Sequence, residues 1–136
     1  MRLLKEDIQF PDFELGDKLK RFLNLDEVRE AFKESDIQKI YTMYKKSKYF
    51  INLDTLDITK LFFNLGINPL TYLTDIPDYA FYEIDLNPLI FNNNLRYINY
   101  RTFEGNQAID SISIPDSCEL IDNYAFSRCY NLQEIY

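Results

Sequence analysis

The chain has 136 residues, 46% of them hydrophobic, 16% aromatic and 27% charged, with 15 Lys plus Arg against 22 Asp plus Glu and a net charge of −7. That apolar content excludes a disordered chain, and the apolar runs are too short for a membrane-spanning helix. The absence of His removes His-based acid–base catalysis, His metal ligation and Ser-His-Asp chemistry, and a pI near 4.6 opposes a phosphate-backbone binder, which needs a Lys/Arg footprint.

The N-terminus, Met1 to Asp7, has no apolar core of the length a signal peptide needs, so the expected location is cytoplasmic. Residues 1–66 then read as helices. Asp17 is placed to cap a short helix, Lys18–Leu23, with Leu19, Phe22 and Leu23 on one side. Asp26 opens a second, with Val28, Ala31 and Phe32 at i, i+3, i+4 spacing. Ser35 or Asp36 starts a third, striped by Ile37, Ile40, Tyr41 and Tyr44. Lys45, Lys46 and Lys48 crowd its C-terminal end, where cations suit the helix dipole. A fourth follows Asp54 or Thr55, with Leu56, Ile58, Leu61, Phe62 and Leu65 apolar and Gly66 at its stop.

Composition shifts near Gly66. Residues 1–66 hold 12 Lys/Arg and 12 Asp/Glu; residues 67–136 hold only Arg96, Arg101 and Arg128 against ten Asp/Glu, so the whole negative charge lies there. This second half repeats. Ile76, Ile98 and Ile121 recur at steps of 22 and 23 residues, and so do Phe81, Phe103 and Phe126. Each Phe is followed by two apolar anchors: Leu86 and Leu89, then Ile109 and Ile112, then Leu132 and Ile135. Leu73, Leu95 and Cys118 precede the Ile positions by three residues, and Ile67-Asn68-Pro69 marks the expected start of the array. One such unit cannot bury its apolar edge alone, so neighbours stack and share a core.

The pattern resembles the BspA-like leucine-rich repeat family, whose units read L-x-x-I-x-I-P-x-x-v-x-x-I-x-x-x-A-F-x-x-C-x-x. The unit from Ile109 to Leu132 carries the match through Ile112, Ile114-Pro115, Ile121, Ala125-Phe126 and Cys129. Pro77, Asn99 and Asp122 replace the glycine usual after the Ile anchor, Thr102 stands where Ala is expected, and the unit after Phe81 is one residue short. The resemblance implies an α+β chain in which a helical region, 1–66, caps a short, irregular leucine-rich-repeat solenoid of two to three units, 67–136. It also implies that Cys118 and Cys129 are core thiols rather than a disulfide.

Candidate chemistry is sparse. The carboxylate pairs Glu83/Asp85 and Glu119/Asp122 read as solvated turn residues, and Asp110, Asp116 and Asp122 lack the Gly and terminal Glu of a calcium loop. With only Gly16, Gly66 and Gly105 there is no Walker loop or dinucleotide turn. Arg96 and Arg101, beside Tyr97 and Tyr100, read as isolated surface arginines in acidic company, with anion binding or aromatic stacking as the other reading. No catalytic residue, cofactor or metal is expected, and the chain is not expected to be an enzyme.

Eight of the eleven tyrosines follow residue 70, and Tyr79 and Tyr124 share one repeat position. Tyrosine is enriched at binding hot spots, so the expected activity is protein binding through an acidic, tyrosine-rich repeat surface. Its candidate residues are Tyr79, Tyr82, Tyr97, Tyr100, Tyr124, Glu134 and Tyr136. The expected partner is a protein with a basic surface, with no nucleic acid bound directly and no membrane; an uncovered end after Leu132 and Ile135 offers a route to a homodimer. The alternative is a small acidic inhibitor of a nucleic-acid-binding enzyme, such as a phage anti-defence protein of the anti-CRISPR kind, acting in the host-cell cytoplasm. Abundant Ile, Asn, Tyr and Lys fit the AT-rich coding such a source would have.

Overall fold

The computed structural model describes residues 11, 13–20, 33, 36–47, 50 and 52–136. It is a mixed helix and strand chain with two open parallel sheets. The helices are α1 (Asp17–Lys20), α2 (Ile37–Met43) and α3 (Thr55–Asn64), with single 3-10 turns at Tyr44–Lys46 and Pro69–Thr71. Five two-residue strands follow: β1 (Asp75–Ile76), β2 (Tyr97–Ile98), β3 (Ser111–Ile112), β4 (Leu120–Ile121) and β5 (Glu134–Ile135). The helix expected to open at Asp26 lies outside the described residues.

Local sequence explains the longest helix at both ends. The Asp54 carboxylate accepts from the Asp57 amide at 2.8 Å, and the Asp57 carboxylate accepts from the Asp54 amide at 3.1 Å. This reciprocal box satisfies two of the amides that a helix start leaves unpaired. At the other end the Gly66 amide donates to the Phe63 carbonyl and the Ile67 amide to the Phe62 carbonyl. Gly66 closes that turn in the left-handed region, φ 74°, where a residue without Cβ carries no steric cost. Ile58, Leu61, Phe62 and Leu65 are buried, as are Thr59 and Phe63, while Leu56 is only half-buried. The Thr59 hydroxyl is accounted for by Tyr41, whose own hydroxyl lies 2.6 Å away; burial pushes the Tyr41 phenol well above its ordinary value.

One expectation about helix starts changes: Asp17 is the first residue of α1 rather than its cap, and the Gly16 carbonyl receives the Leu19 and Lys20 amides. Asp36 stands at the head of α2 as expected, with its carboxylate accepting from the Lys33 amide rather than from the helix.

The repeat register is literal. Asp75 and Ile76 pair with Tyr97 and Ile98, which pair in turn with Leu120 and Ile121; Ser111 and Ile112 pair with Glu134 and Ile135. A second set of bonds joins the turns. The amides of Tyr79, Phe81 and Glu83 donate to the carbonyls of Tyr100, Thr102 and Glu104, and those of Arg101, Phe103 and Gly105 to Asn123, Ala125 and Ser127. Between these ladders the phenylalanines stack, Phe81 to Phe103 at 5.2 Å and Phe103 to Phe126 at 5.3 Å between ring centroids. Residues 67–69, the expected start of the array, form no strand: the Asn68 side chain instead accepts from the Leu70 amide at the head of a 3-10 turn.

Two of the departures from the repeat pattern, Thr102 and Asn99, are compensated by hydrogen bonds. Thr102, in the Ala position, is fully buried, and its Oγ1 lies 2.8 Å from the Asn99 carbonyl and 3.1 Å from that of Pro77. Asn99, in a glycine position, donates its side-chain amide to the Ile76 carbonyl and the Asp75 carboxylate of the unit before.

One apolar core runs from Leu19 through the helices to Cys129. It thins beyond β2: Ile76 and Ile98 are fully buried, whereas Ile121 is 45% exposed and Ile135 62%. Both cysteines are free thiols. Cys129 is buried, and that burial raises its pKa. Cys118 modifies the core expectation: it packs against the core but is only partly covered, two residues before the edge strand β4.

Candidate functional site

Two backbone positions in each unit set the exposed turn surface. Tyr79, Arg101 and Tyr124 share one, with φ between 54° and 61°; Glu83, Gly105 and Arg128 share the other, with φ from 57° to 81°. A non-glycine residue there costs on the order of 1 kcal/mol, so the surrounding ladder must hold it in place. Gly105 is required for a second reason: a Cβ on it would stand 2.9 Å from the Glu83 Cγ.

This geometry lines up four of the tyrosines. Tyr82 meets Tyr79 edge-on at 5.5 Å, Tyr79 meets Tyr100 at 5.8 Å, and Tyr100 meets Tyr124 at 6.0 Å. Tyr79 and Tyr124 are exposed, 42% and 57%. Edge-to-face rings are mutually attractive, the edge of one capping a face of the other, and the remaining faces stay open to other groups. The Arg101 guanidinium takes two of those faces, at 5.1 Å from the Tyr100 centroid and 4.6 Å from that of Tyr124.

Beneath the row lies a charge network. Glu104 is buried, and its carboxylate accepts from Arg101 Nη1 at 2.8 and 2.9 Å and from Arg128 Nε at 3.1 Å. Arg128 Nη2 reaches the Glu83 carboxylate at 3.1 Å and the Tyr82 hydroxyl at 3.0 Å. Contact with Tyr100 and the Glu104 carboxylate hold Arg101 above its already high ordinary pKa; Glu83 and Glu104 do the same for Arg128. The network stiffens the turns, since charge-assisted bonds from two arginines hold one buried carboxylate.

The remaining candidates lie elsewhere. Tyr97 is covered by Arg96, 5.1 Å from its centroid, and Arg96 pairs with Glu119 at 3.2 Å. Arg96 and Arg101 are therefore stacked and paired, not isolated, Glu83 is an ion-paired turn residue, and Glu119, also ion-paired, stands just before β4. Glu134 and Tyr136 sit exposed at the outer edge of β5, where the Tyr136 hydroxyl donates to the Glu134 carboxylate and is raised in pKa by it. The spacing argument passed over Glu104 and Arg128, because single charged residues break the repeat rather than follow it. Their only signal was position: one and two residues after each repeat Phe, where Tyr82 and Glu83 also stand.

A groove of about 650 Å³ opens between the helices and the first repeat. Its wall on one side is Gln38, Tyr41, Thr42 and Tyr44; on the other stand Asp75, Asp78, Tyr79 and Tyr82. Gln38 ties the two sides together. Its amide donates to the Asp75 carbonyl at 2.9 Å and accepts from the Thr74 and Asp75 amides at 2.9 and 3.0 Å. A side-chain amide thus supplies β1 with the partners a neighbouring strand would give. The Thr55 hydroxyl adds a bond to the Asp78 carbonyl at 2.8 Å.

Among the described residues no group of three or more His, Cys, Asp or Glu is placed to hold a metal, and no helix is long and apolar enough to cross a membrane. The family model that matches is that of the BspA type leucine rich repeat region (6 copies), over residues 62–136. No curated protein and no solved structure matches the chain.

Proposed function

The chain belongs to the BspA-type leucine-rich repeat family, and from that premise we propose that it is a non-enzymatic protein-binding module. Leucine-rich repeats generally mediate protein–protein interaction, and stacked units offer an extended surface for it. On this reading residues 67–136 are a short solenoid, residues 1–66 cap its first unit, and the binding face is the exposed turn surface.

The observation that carries the proposal is the row Tyr82–Tyr79–Tyr100–Tyr124, held edge to face across three units and pinned from below by Glu104. Rigid tyrosines bury large area at small entropic cost. The net charge of residues 67–136 favours a partner with a basic surface and speeds its encounter. Tyr97, Glu134 and Tyr136 extend the proposed contact beyond the row, and the exposed edge formed by β4 and β5 gives a route to a homodimer.

The test is affinity capture from lysate of the source cell at low and high salt, with nuclease treatment. The expected result is a protein partner retained at high salt and lost when Tyr79 and Tyr124 are both changed to Ala in a variant that still unfolds cooperatively. Capture only at low salt, reversed by added DNA or RNA, would replace this reading with that of an inhibitor of a nucleic-acid-binding enzyme. Retention by the double variant would remove the tyrosine row from the binding face.

A further inference from the structure

We propose that the groove between α2 and the first repeat is a receptor for a basic side chain, Lys or Arg, presented by the protein partner. The inference rests on the protein-binding reading above and names the chemistry of one subsite within it.

Three observations support it together. First, the carboxylates that line the groove have no cation in contact with them, although Lys18 acts on Asp54 from a distance. Asp54, Asp75 and Asp78 line it, no Lys or Arg does, and none of the three forms an ion pair among the described residues. Lys18 is engaged on Asp57 at 2.7 Å and Lys45 over the ring of Tyr44, and neither is a lining residue. Second, one oxygen of each carboxylate is already committed, which fixes its direction: Asp54 to the Asp57 amide, Asp75 to Asn99 Nδ2 at 2.6 Å, and Asp78 to the Tyr100 amide at 3.1 Å. The second oxygen of each has no donor among the described residues. Third, the remaining lining is aromatic. Lys45 lies over the Tyr44 ring and Arg128 over that of Tyr82, which leaves Tyr79 to supply ring surface beside the carboxylates, a lining that suits a cation carried on an apolar stem. A metal fits less well, since the carboxylates do not converge. The volume lies within the range of ligand-sized clefts, about 300–1,000 Å³, and exceeds what one side chain fills, so the segment bearing it enters as well.

The experiment uses the full-length, ¹⁵N-labelled chain titrated with N-acetyl-lysine amide, N-acetyl-arginine amide and, as the uncharged control, N-acetyl-norleucine amide. The expected result is saturable shifts at the backbone amides of Asp78, Tyr79 and Tyr82 and the side-chain amide of Gln38 with the two cationic probes and none with norleucine. The variant Asp75→Asn with Asp78→Asn should weaken binding about tenfold, as loss of two exposed charge contacts implies. Thr42→Lys, at an exposed position on the rim, should abolish it by filling the groove with the protein's own ammonium while leaving every carboxylate in place. Shifts that map outside the groove, equal binding of norleucine, or unchanged affinity in Thr42→Lys would overturn the proposal.

The two readings fail separately. Silent titrations with a partner that still depends on Tyr79 and Tyr124 would remove the groove and leave the module. Saturable binding in the groove with no partner dependent on the tyrosine row would do the reverse.

Discussion

The phenylalanine stack gives a graded prediction within one chain. Phe81, Phe103 and Phe126 occupy the same repeat position, but Phe103 is fully buried and touches the rings of Phe81, Phe91 and Phe126, whereas Phe126 is half-buried with one ring neighbour. Removing a buried phenylalanine costs about 3–5 kcal/mol, and this site, ringed on three sides, belongs at the upper end. Phe103→Ala should therefore cost about 4–5 kcal/mol. Phe126→Ala gives up one stacked face and part of its buried area, or about 1.5–2 kcal/mol. With an unfolding entropy of about 2.1 cal/mol/K per residue, those losses lower Tm by roughly 15 °C and roughly 6 °C. Urea unfolding followed by circular dichroism, with calorimetry, measures both, and sedimentation equilibrium establishes that the sample is monomeric. Losses equal within about 0.5 kcal/mol in a monomer would refute the reasoning, since they would mean that Phe126 is as well covered as Phe103.

Other expectations follow from single contacts. Gly105→Ala adds a Cβ against Glu83 at a left-handed φ and should cost about 1–3 kcal/mol by chemical denaturation, whereas Gly16→Ala, with open space around it, should change little. Gln38→Leu removes three bonds to the edge of β1 and should cost about 2–3 kcal/mol, with amide hydrogen exchange at Thr74 and Asp75 accelerating first. Glu104→Gln leaves Arg101 and Arg128 without their shared carboxylate and should cost about 2–3 kcal/mol, with the Tyr100 and Tyr124 ring resonances shifting in the NMR spectrum. Burial alone would raise the Asp57 pKa, but the Lys18 hydrogen bond overrides it and leaves the carboxyl below its ordinary value. Its contribution is thus present above the unfolded value of about 3.9 and lost as pH falls through the lower folded value. Lys18, raised by the same bond, contributes below about 10.4 and loses that contribution as pH climbs through its folded value. Stability titrations of Lys18→Met against the parent chain should differ least at these two extremes; because Lys18 is half-exposed, the difference near neutral pH should stay below about 1 kcal/mol.

What was legible in the sequence was whatever repeats. Ile76, Ile98 and Ile121 align by spacing alone and are paired in that register, because parallel pairing of repeated segments places equivalent residues side by side. The turn before Gly66 was readable for the same kind of reason: one residue with a special φ leaves a mark. The features that do not repeat were hidden. Gln38 lies 37 residues before the strand it bonds, and nothing in its neighbourhood distinguishes it from a solvated helix residue. Glu104 looked like any turn carboxylate, and only the meeting of Arg101 and Arg128 from successive units makes its burial tolerable. The groove combines Asp75 and Asp78 with α2, and a distance that depends on how helices meet repeats has no period to betray it.

The bonding between units also has a direction. Strand amides of a later unit reach back to carbonyls of the one before, as Arg96 does to Thr74 and Glu119 to Arg96, while turn amides of the earlier unit reach forward. The ladder bonds join immediate neighbours, while Arg128 reaches across a unit to Tyr82 and Glu83, and Gln38 offers the first unit a ready template. A chain emerging from the ribosome can therefore pair its strands in the order of translation, each about 22 residues after the last, while the turn of each unit is completed only by the carbonyls of the next. The same polarity governs damage: shortening from the far side peels units away one at a time, while a lesion at Gln38 loosens the seed on which all of them were laid.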